Sequence, residues 1–208
     1  MTTQTPLTVG FDLDMTLIDS RPGIARAYDL LAKETGTVID SALVVSRLGP
    51  PVEIEMAHWF PADQVKAMAD RYRKLYAEHG VAGVTPLPGA VESLAAVRAA
   101  GGRSVVVTGK YTPNARLNLD ALTMRVDALH GDVFGTGKAE ALRAEGATVY
   151  VGDHLGDVAG AREADAYAVA VTTGPYDAAS LREAGADVVL ADLTEFPAWL
   201  DGYLVAQG

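Results

Sequence analysis

The apolar positions of this chain follow two alternating periods. Leu7 to Phe11 is a short uncharged run, read as a buried strand. Ser104 to Thr108, Thr148 to Gly152, Tyr167 to Val171 and Asp187 to Leu190 repeat the pattern, and Ala128 to Val133 gives a shorter strand. Helical spacing fills the intervals. Ile24, Ala27, Tyr28 and Leu31 lie on one helix face, opened by Ser20 or Arg21 with Pro22 in the first turn and stopped by Gly36. Val38 to Leu48 and Glu53 to Phe60 are the next helices. Pro61 opens a longer one with Val65, Met68, Tyr72, Leu75 and Tyr76 as its stripe and Gly80 at its end. Further helices carry Val91, Leu94 and Val97, run from a Thr112-Pro113 cap to about Thr123, and span Lys138–Glu145, Asp157–Ala164 and Asp177–Ala184.

Strands alternating with helices predict an α/β fold, a Rossmann-like, mainly parallel sheet. The first strand is followed by helices alone. Residues 20–84 are therefore read as a helical cap domain inserted after that strand, with residues 1–19 and 85–208 forming the α/β core domain and Pro86, Pro88 and Gly89 marking the junction. An insert of about 65 residues far exceeds the dozen or so that a crossover needs, and beside strand ends it is placed to cover a site.

Composition narrows the function classes. The 208 residues carry 27 acidic and 17 basic side chains, a net charge of −10, which disfavours a nucleic-acid surface. There are no cysteines, so disulfides and thiolate metal sites are excluded, in keeping with a cytoplasmic protein. Met-Thr-Thr-Gln-Thr-Pro has neither the basic nor the apolar region of a signal peptide. No apolar stretch approaches the roughly 18 residues that span a bilayer, so no membrane partner is expected. The sequence leaves the oligomeric state open, a homodimer included.

The candidate chemistry gathers at strand ends. Asp12, Asp14 and Thr16 follow the first strand; Thr108, Gly109 and Lys110 follow the second; Lys138 opens a helix; Gly152, Asp153 and Asp157 follow another strand. Ligand sites of open α/β sheets lie beyond these carboxyl ends. Two acids there are costly to desolvate without a cation, so a divalent metal is expected beside Asp12 and Asp14. Carboxylates, a hydroxyl, an ammonium and glycine-flanked amides suit phosphoryl transfer, in which catalysis is mostly positioning and charge neutralisation. One acid attacks phosphorus and the other, titrating apart from it, carries the proton. Each residue also has an ordinary reading: the two acids as a solvated turn, Lys138 as an exposed helix-start lysine, Asp157 as a helix N-terminal acid. Lys110 is read as an ordinary surface lysine, with the place of Lys138 as its alternative should the loops fold differently. His154 is assigned a local hydrogen-bonding role rather than a metal-binding one, and His58-Trp59 and Tyr72/Tyr76 are assigned to packing.

In this order the four clusters resemble the motifs of the haloacid-dehalogenase superfamily, and within it the phosphoglycolate-phosphatase-like group with an α-helical cap. Phe11-Asp12-Leu13-Asp14-Met15-Thr16 is similar to the first motif, Val105 to Thr108 to the second, Lys138 to the third, and Gly152-Asp153 with Asp157 to the fourth. The resemblance implies Asp12 as nucleophile and Asp14 as acid/base. It implies Mg2+ held by Asp12, the Asp14 main-chain carbonyl and Asp153, with Asp157 a ligand or its support. Thr108, Gly109 and Lys138 would bind phosphate, and Arg47, in a Gly/Pro cap loop, would face the pocket. Met15 stands where glycine is common, and His154 replaces a usual Ser or Thr. The implied partner is a small-molecule phosphate ester, as phosphoglycolate-like compound, nucleotide or sugar phosphate. A phosphosugar mutase and a receiver-like phosphoacceptor module are the alternatives.

Overall fold

The computed structural model describes residues 6–207. The residues before Pro6, on which the signal-peptide reading partly rests, lie outside the described residues. In chain order the strands are β1 (Thr8–Phe11), β2 (Ile18–Asp19), β3 (Thr85–Pro86), β4 (Arg103–Val107), β5 (Ala128–His130), β6 (Val149–Gly152), β7 (Tyr167–Val171) and β8 (Val188–Leu190). The helices are α1 (Arg21–Thr35), α2 (Ser41–Ser46), α3 (Val52–Met56), α4 (Val65–Leu75), α5 (Ala90–Ala99), α6 (Thr112–Ala121), α7 (Lys138–Ala144), α8 (Leu155–Glu163), α9 (Ala178–Glu183) and α10 (Phe196–Gln207). A π-helical turn, Tyr76–Gly80, continues α4.

Six strands form one sheet in the order β5-β4-β1-β6-β7-β8, all neighbours parallel. Two-residue periodicity divides their side chains between two layers. Val9, Phe11, Val106, Val151 and Val169 pack with Leu94, Val97, Leu119 and Phe196 of α5, α6 and α10. Val105, Val107, Tyr150, Ala168 and Ala170 pack with Leu142, Val158, Ala161 and Leu181 of α7, α8 and α9. A parallel sheet covered on both faces reads as continuous apolar runs, which is why these strands are legible. The sheet grows from β1 through β4 to β5 on one side and then from β6 to β8 on the other, which makes the crevice beyond β1 and β6 the ligand position of a doubly wound sheet.

Several boundaries differ from the sequence reading. The second helix shrinks from Val38–Leu48 to Ser41–Ser46, because Asp40 caps it by accepting from the Leu43 amide at 3.0 Å; Val38 is exposed. Residues 57–60 turn rather than extend α3, and α4 starts at Val65 instead of Pro61. Val91 points to solvent, and Ala90, Ser93, Leu94 and Val97 form the buried face of α5. Tyr111 takes the N-cap position of α6, while the Thr112 amide and hydroxyl both donate to Asp132. Helix α8 starts at Leu155, two residues before Asp157. The β2–β3 antiparallel ribbon and α10 have no counterpart in the sequence reading: two residues per strand carry no period, and α10 is apolar with little amphipathic contrast. No helix among the described residues is long and apolar enough to cross a membrane.

Candidate active site

The strand ends bring three carboxylates together. Oxygens of Asp12, Asp153 and Asp157 lie within 4.8 Å of one another, all buried. Asp12 continues the β1 ladder, its amide donating to the Val151 carbonyl at 2.8 Å. Asp153 follows β6 and accepts from the Thr16 hydroxyl at 2.8 Å. Asp157 sits in the first turn of α8, where its carboxylate accepts from the His154 amide at 3.0 Å while His154 Nδ1 accepts from Gly156, a reciprocal cap. His154 thus makes a local hydrogen bond while also lining the cleft, and burial holds its pKa below the usual value.

Lys138 projects from the start of α7 into this group. Its Nζ donates to Asp12 at 2.9 Å, Asp157 at 2.6 Å and the Tyr150 hydroxyl at 2.9 Å, and Tyr150 in turn donates to the Val107 carbonyl at 2.6 Å. Burial works against the Lys138 ammonium, but Asp12 and Asp157 outweigh it and push its pKa up. Burial raises the Asp12 carboxyl to about 6, with Asp157 adding to the rise and Lys138 opposing it. Asp153 is pushed well up by burial and by the charges of Asp157 and Asp12. Three carboxylates facing one ammonium leave two uncompensated charges in a buried, oxygen-only donor set. That set fits a hard divalent cation such as magnesium.

Asp14, two residues beyond Asp12, goes elsewhere. Between them and Ile18 the chain makes a tight turn in which Met15 adopts φ +63, the left-handed region that favours glycine. Thr173 donates to the Met15 carbonyl at 2.5 Å and braces the turn. The Asp14 carboxylate stands outside the acidic group and accepts from Lys110 at 3.0 and 3.2 Å and from the Ser20 hydroxyl at 2.5 Å. Ser20 holds the N-cap position of α1 but makes no capping bond, since its hydroxyl serves Asp14. Lys110 is not a surface lysine: its side chain is 8% exposed and lies 4.2 Å from the centroid of the Tyr76 ring. An ammonium this buried requires a partner, and Asp14 supplies it.

Thr108 is buried at the end of β4, with Gly109 beside it. These groups open into one cleft of 320 Å³ between the sheet edge and helices α1–α4, with Asp12, Asp14, Thr108, Lys110, Lys138 and Asp153 on its floor. Its roof carries Tyr28, Tyr72, Arg47 and Arg73. Arg47 is paired with Glu55 at 2.5 Å, and Arg73 with Glu53 at 2.5 Å, while the Nε atoms of both arginines are buried without a partner. Tyr72 and Tyr76 combine packing with cleft lining; His58 is exposed, and Trp59 Nε1 donates to Glu55 at 2.8 Å.

Sequence reasoning placed Lys110 at the strand ends but gave it a surface role, and it missed Tyr150, Thr173 and Gly174. For Lys110 the signal was available, since Thr108-Gly109-Lys110 places it in the loop that carries Thr108. Tyr150 is an inward residue of an apolar strand whose hydroxyl needs a buried partner. Thr173, and Gly174, whose backbone passes close against the Asp153 carboxylate, carried no local signal.

A family model described as haloacid dehalogenase-like hydrolase matches residues 9–162. Phosphoglycolate phosphatase from Rhodospirillum rubrum is 30% identical over 94% of this chain and 91% of its own length, and that of Caulobacter vibrioides is 29% identical over 91% and 89%. Among solved structures, a predicted phosphatase from Clostridium acetobutylicum shares the fold with a TM-score of 0.81 at 23% identity, covering 96% of this chain and all (100%) of that one.

Proposed function

The chain belongs to the haloacid dehalogenase-like hydrolases, and we propose that it is a magnesium-dependent phosphatase that hydrolyses a small phosphate ester through a phosphorylated Asp12. The observation that carries this reading is the division of two acids between two buried lysines. Asp12 is bonded to Lys138 inside the acidic group, and Asp14 is bonded to Lys110 outside it. Two neighbouring carboxylates in different environments suit a nucleophile and a proton carrier. Residues 20–84 act as the cap domain that closes the cleft over the substrate.

Asp12, Asp153 and the Asp14 main-chain carbonyl, with Asp157 beside them, would hold magnesium. When bound, the ion supplies charge neutralisation at the phosphoryl oxygens. Lys138, the Thr108 hydroxyl and the Gly109 amide bind the remaining oxygens. An Asp12 oxygen forms a bond to phosphorus as the bond to the leaving oxygen breaks, and Asp14 gives its proton to that oxygen. Asp14, now a carboxylate, takes a proton from water; the resulting hydroxide displaces Asp12 from phosphorus, and phosphate leaves. The two halves restore both carboxyls.

Phosphate release from a panel of phosphorylated metabolites, with magnesium, tests the reading. The wild type is expected to turn over at least one ester, and Asp12→Asn to lose at least about 10³-fold in kcat while keeping its circular dichroism. Retained turnover in that variant excludes Asp12 as nucleophile. Isomerisation of a sugar phosphate without net phosphate release would move the chain to the mutase reading.

A further inference from the structure

Lys110 enters none of the steps above, yet it is among the most constrained side chains of the cleft. Its ammonium contacts groups from two parts of the chain. One is Asp14, reached through both carboxylate oxygens at 3.0 and 3.2 Å. The other is the ring of Tyr76, 4.2 Å below the Nζ, in a cation–π arrangement. Tyr76 lies in the π-helical turn of the helical segment and is fully buried. Its hydroxyl exchanges hydrogen bonds with Asn118 of α6 at 3.0 and 3.2 Å. The ammonium thus sits between the loop after β1 and the far end of the helical layer, with the Ser20 hydroxyl closing the other side of Asp14 at 2.5 Å.

The two lysines of the cleft are not interchangeable. Lys138 is committed to Asp12, Asp157 and Tyr150, and Lys110 makes no hydrogen bond to any of them. Lys110 holds the Asp14 carboxyl through both oxygens, whereas Ser20 holds one.

We propose that Lys110 is the positioning residue for Asp14: it aims the Asp14 carboxyl at the leaving oxygen, and its contact with the Tyr76 ring anchors that aim on the helical segment packed over the site. This rests on the reading of Asp14 as proton carrier. Lys110 itself transfers no proton. The proton moves from Asp14 to the leaving oxygen as the phosphorus–oxygen bond breaks, and Lys110 sets only the geometry of that transfer.

The test uses leaving groups that differ in their need for a proton. An alkyl phosphate leaves as a strongly basic alkoxide and requires the acid; p-nitrophenyl phosphate leaves as a stable phenolate and does not. With magnesium present, Lys110→Met is expected to lower kcat/KM, which reports departure of the leaving group and not the shared hydrolysis of phosphorylated Asp12, on the best alkyl ester by about 10²-fold, and on p-nitrophenyl phosphate by under about 3-fold. The ratio of the two rates does not depend on the folded fraction, so partial misfolding leaves it readable. Lys110→Arg is expected to recover much of the ratio, and Tyr76→Leu, with Lys110 intact, to lower it in the same direction. Equal losses on both esters would assign Lys110 to phosphate binding or to stability and overturn the proposal. Faster alkyl turnover in Lys110→Met would show that the pair holds Asp14 away from the substrate, and would also overturn it. A wild type that cleaves neither ester removes the phosphatase reading itself; cleavage with an unchanged ratio in all three variants removes this inference alone.

Discussion

Gly174 illustrates how tightly the acidic group is built. Its backbone passes so close to Asp153 that a Cβ there would stand 1.8 Å from Oδ2. Real Cβ atoms do not approach so closely, so Gly174→Ala must displace the Asp153 carboxylate. The expected outcome is a 10–100-fold increase, roughly, in the magnesium concentration that gives half-maximal phosphate release, with the folded spectrum preserved. An unchanged magnesium titration would argue against Asp153 as a ligand. The same scale shows what side-chain identity conceals. Lys110 and Lys138 are indistinguishable as residue types, and Lys138 was legible only through its place in an ordered set of motifs. For Lys110 the sequence supplied the place, two positions after Thr108, but not the partners, Asp14 and Tyr76, which are distant from it in sequence.

Among the elements, α4 and its π-helical extension decide the roof of the cleft. Tyr76, where α4 passes into that turn, meets Lys110 and Asn118, and such interruptions recur at functional positions. Helix α1 crosses this turn at close range. A Cβ on Gly23 would stand 2.2 Å from the Gly80 carbonyl oxygen, which is main chain and cannot rotate away. Alanine at that helical position gains about 1 kcal/mol of propensity, but the clash outweighs it. Gly23→Ala is therefore expected to lose about 1–3 kcal/mol net in urea denaturation. A stabilised variant would show that the two elements separate freely. The long amphipathic helices and the apolar strands were legible at this scale, because both have many repeats of their period. The β2–β3 ribbon, the shortened α2 and the helix start at Leu155 were not. Two-residue strands have no period, and the helix starts were set by the caps Asp40 and His154.

For the whole molecule the crowded carboxylates of Asp12, Asp153 and Asp157 couple stability to pH and to metal. The Asp12 carboxyl titrates near 6 in the fold against an ordinary 3.8, so the native state binds more protons than the unfolded chain between these values. Its contribution to stability is present below about pH 4 and is lost as pH rises through about 6. A divalent cation needs the ionised carboxylates and offsets that loss. Magnesium is therefore expected to raise the melting temperature, relative to a chelator, more at about pH 7.5 than at about pH 5. A magnesium effect that is absent, or equal at both values, would contradict the assigned metal site.

The α/β class, the parallel sheet, the long helical run after the first strand and the family are all legible in the order of residues. Each of these is written in local periodicity or in short motifs whose residues sit at strand ends. Tertiary structure decided how the charges are shared. Which lysine meets which aspartate depends on a crossover topology that brings β1, β4 and β6 side by side, and on a helical layer folded back over them. Asp12 and Asp14 are two residues apart in the chain, but the left-handed turn at Met15 sends them to different cations. That separation arises from backbone conformation and long-range burial, which no window of sequence contains.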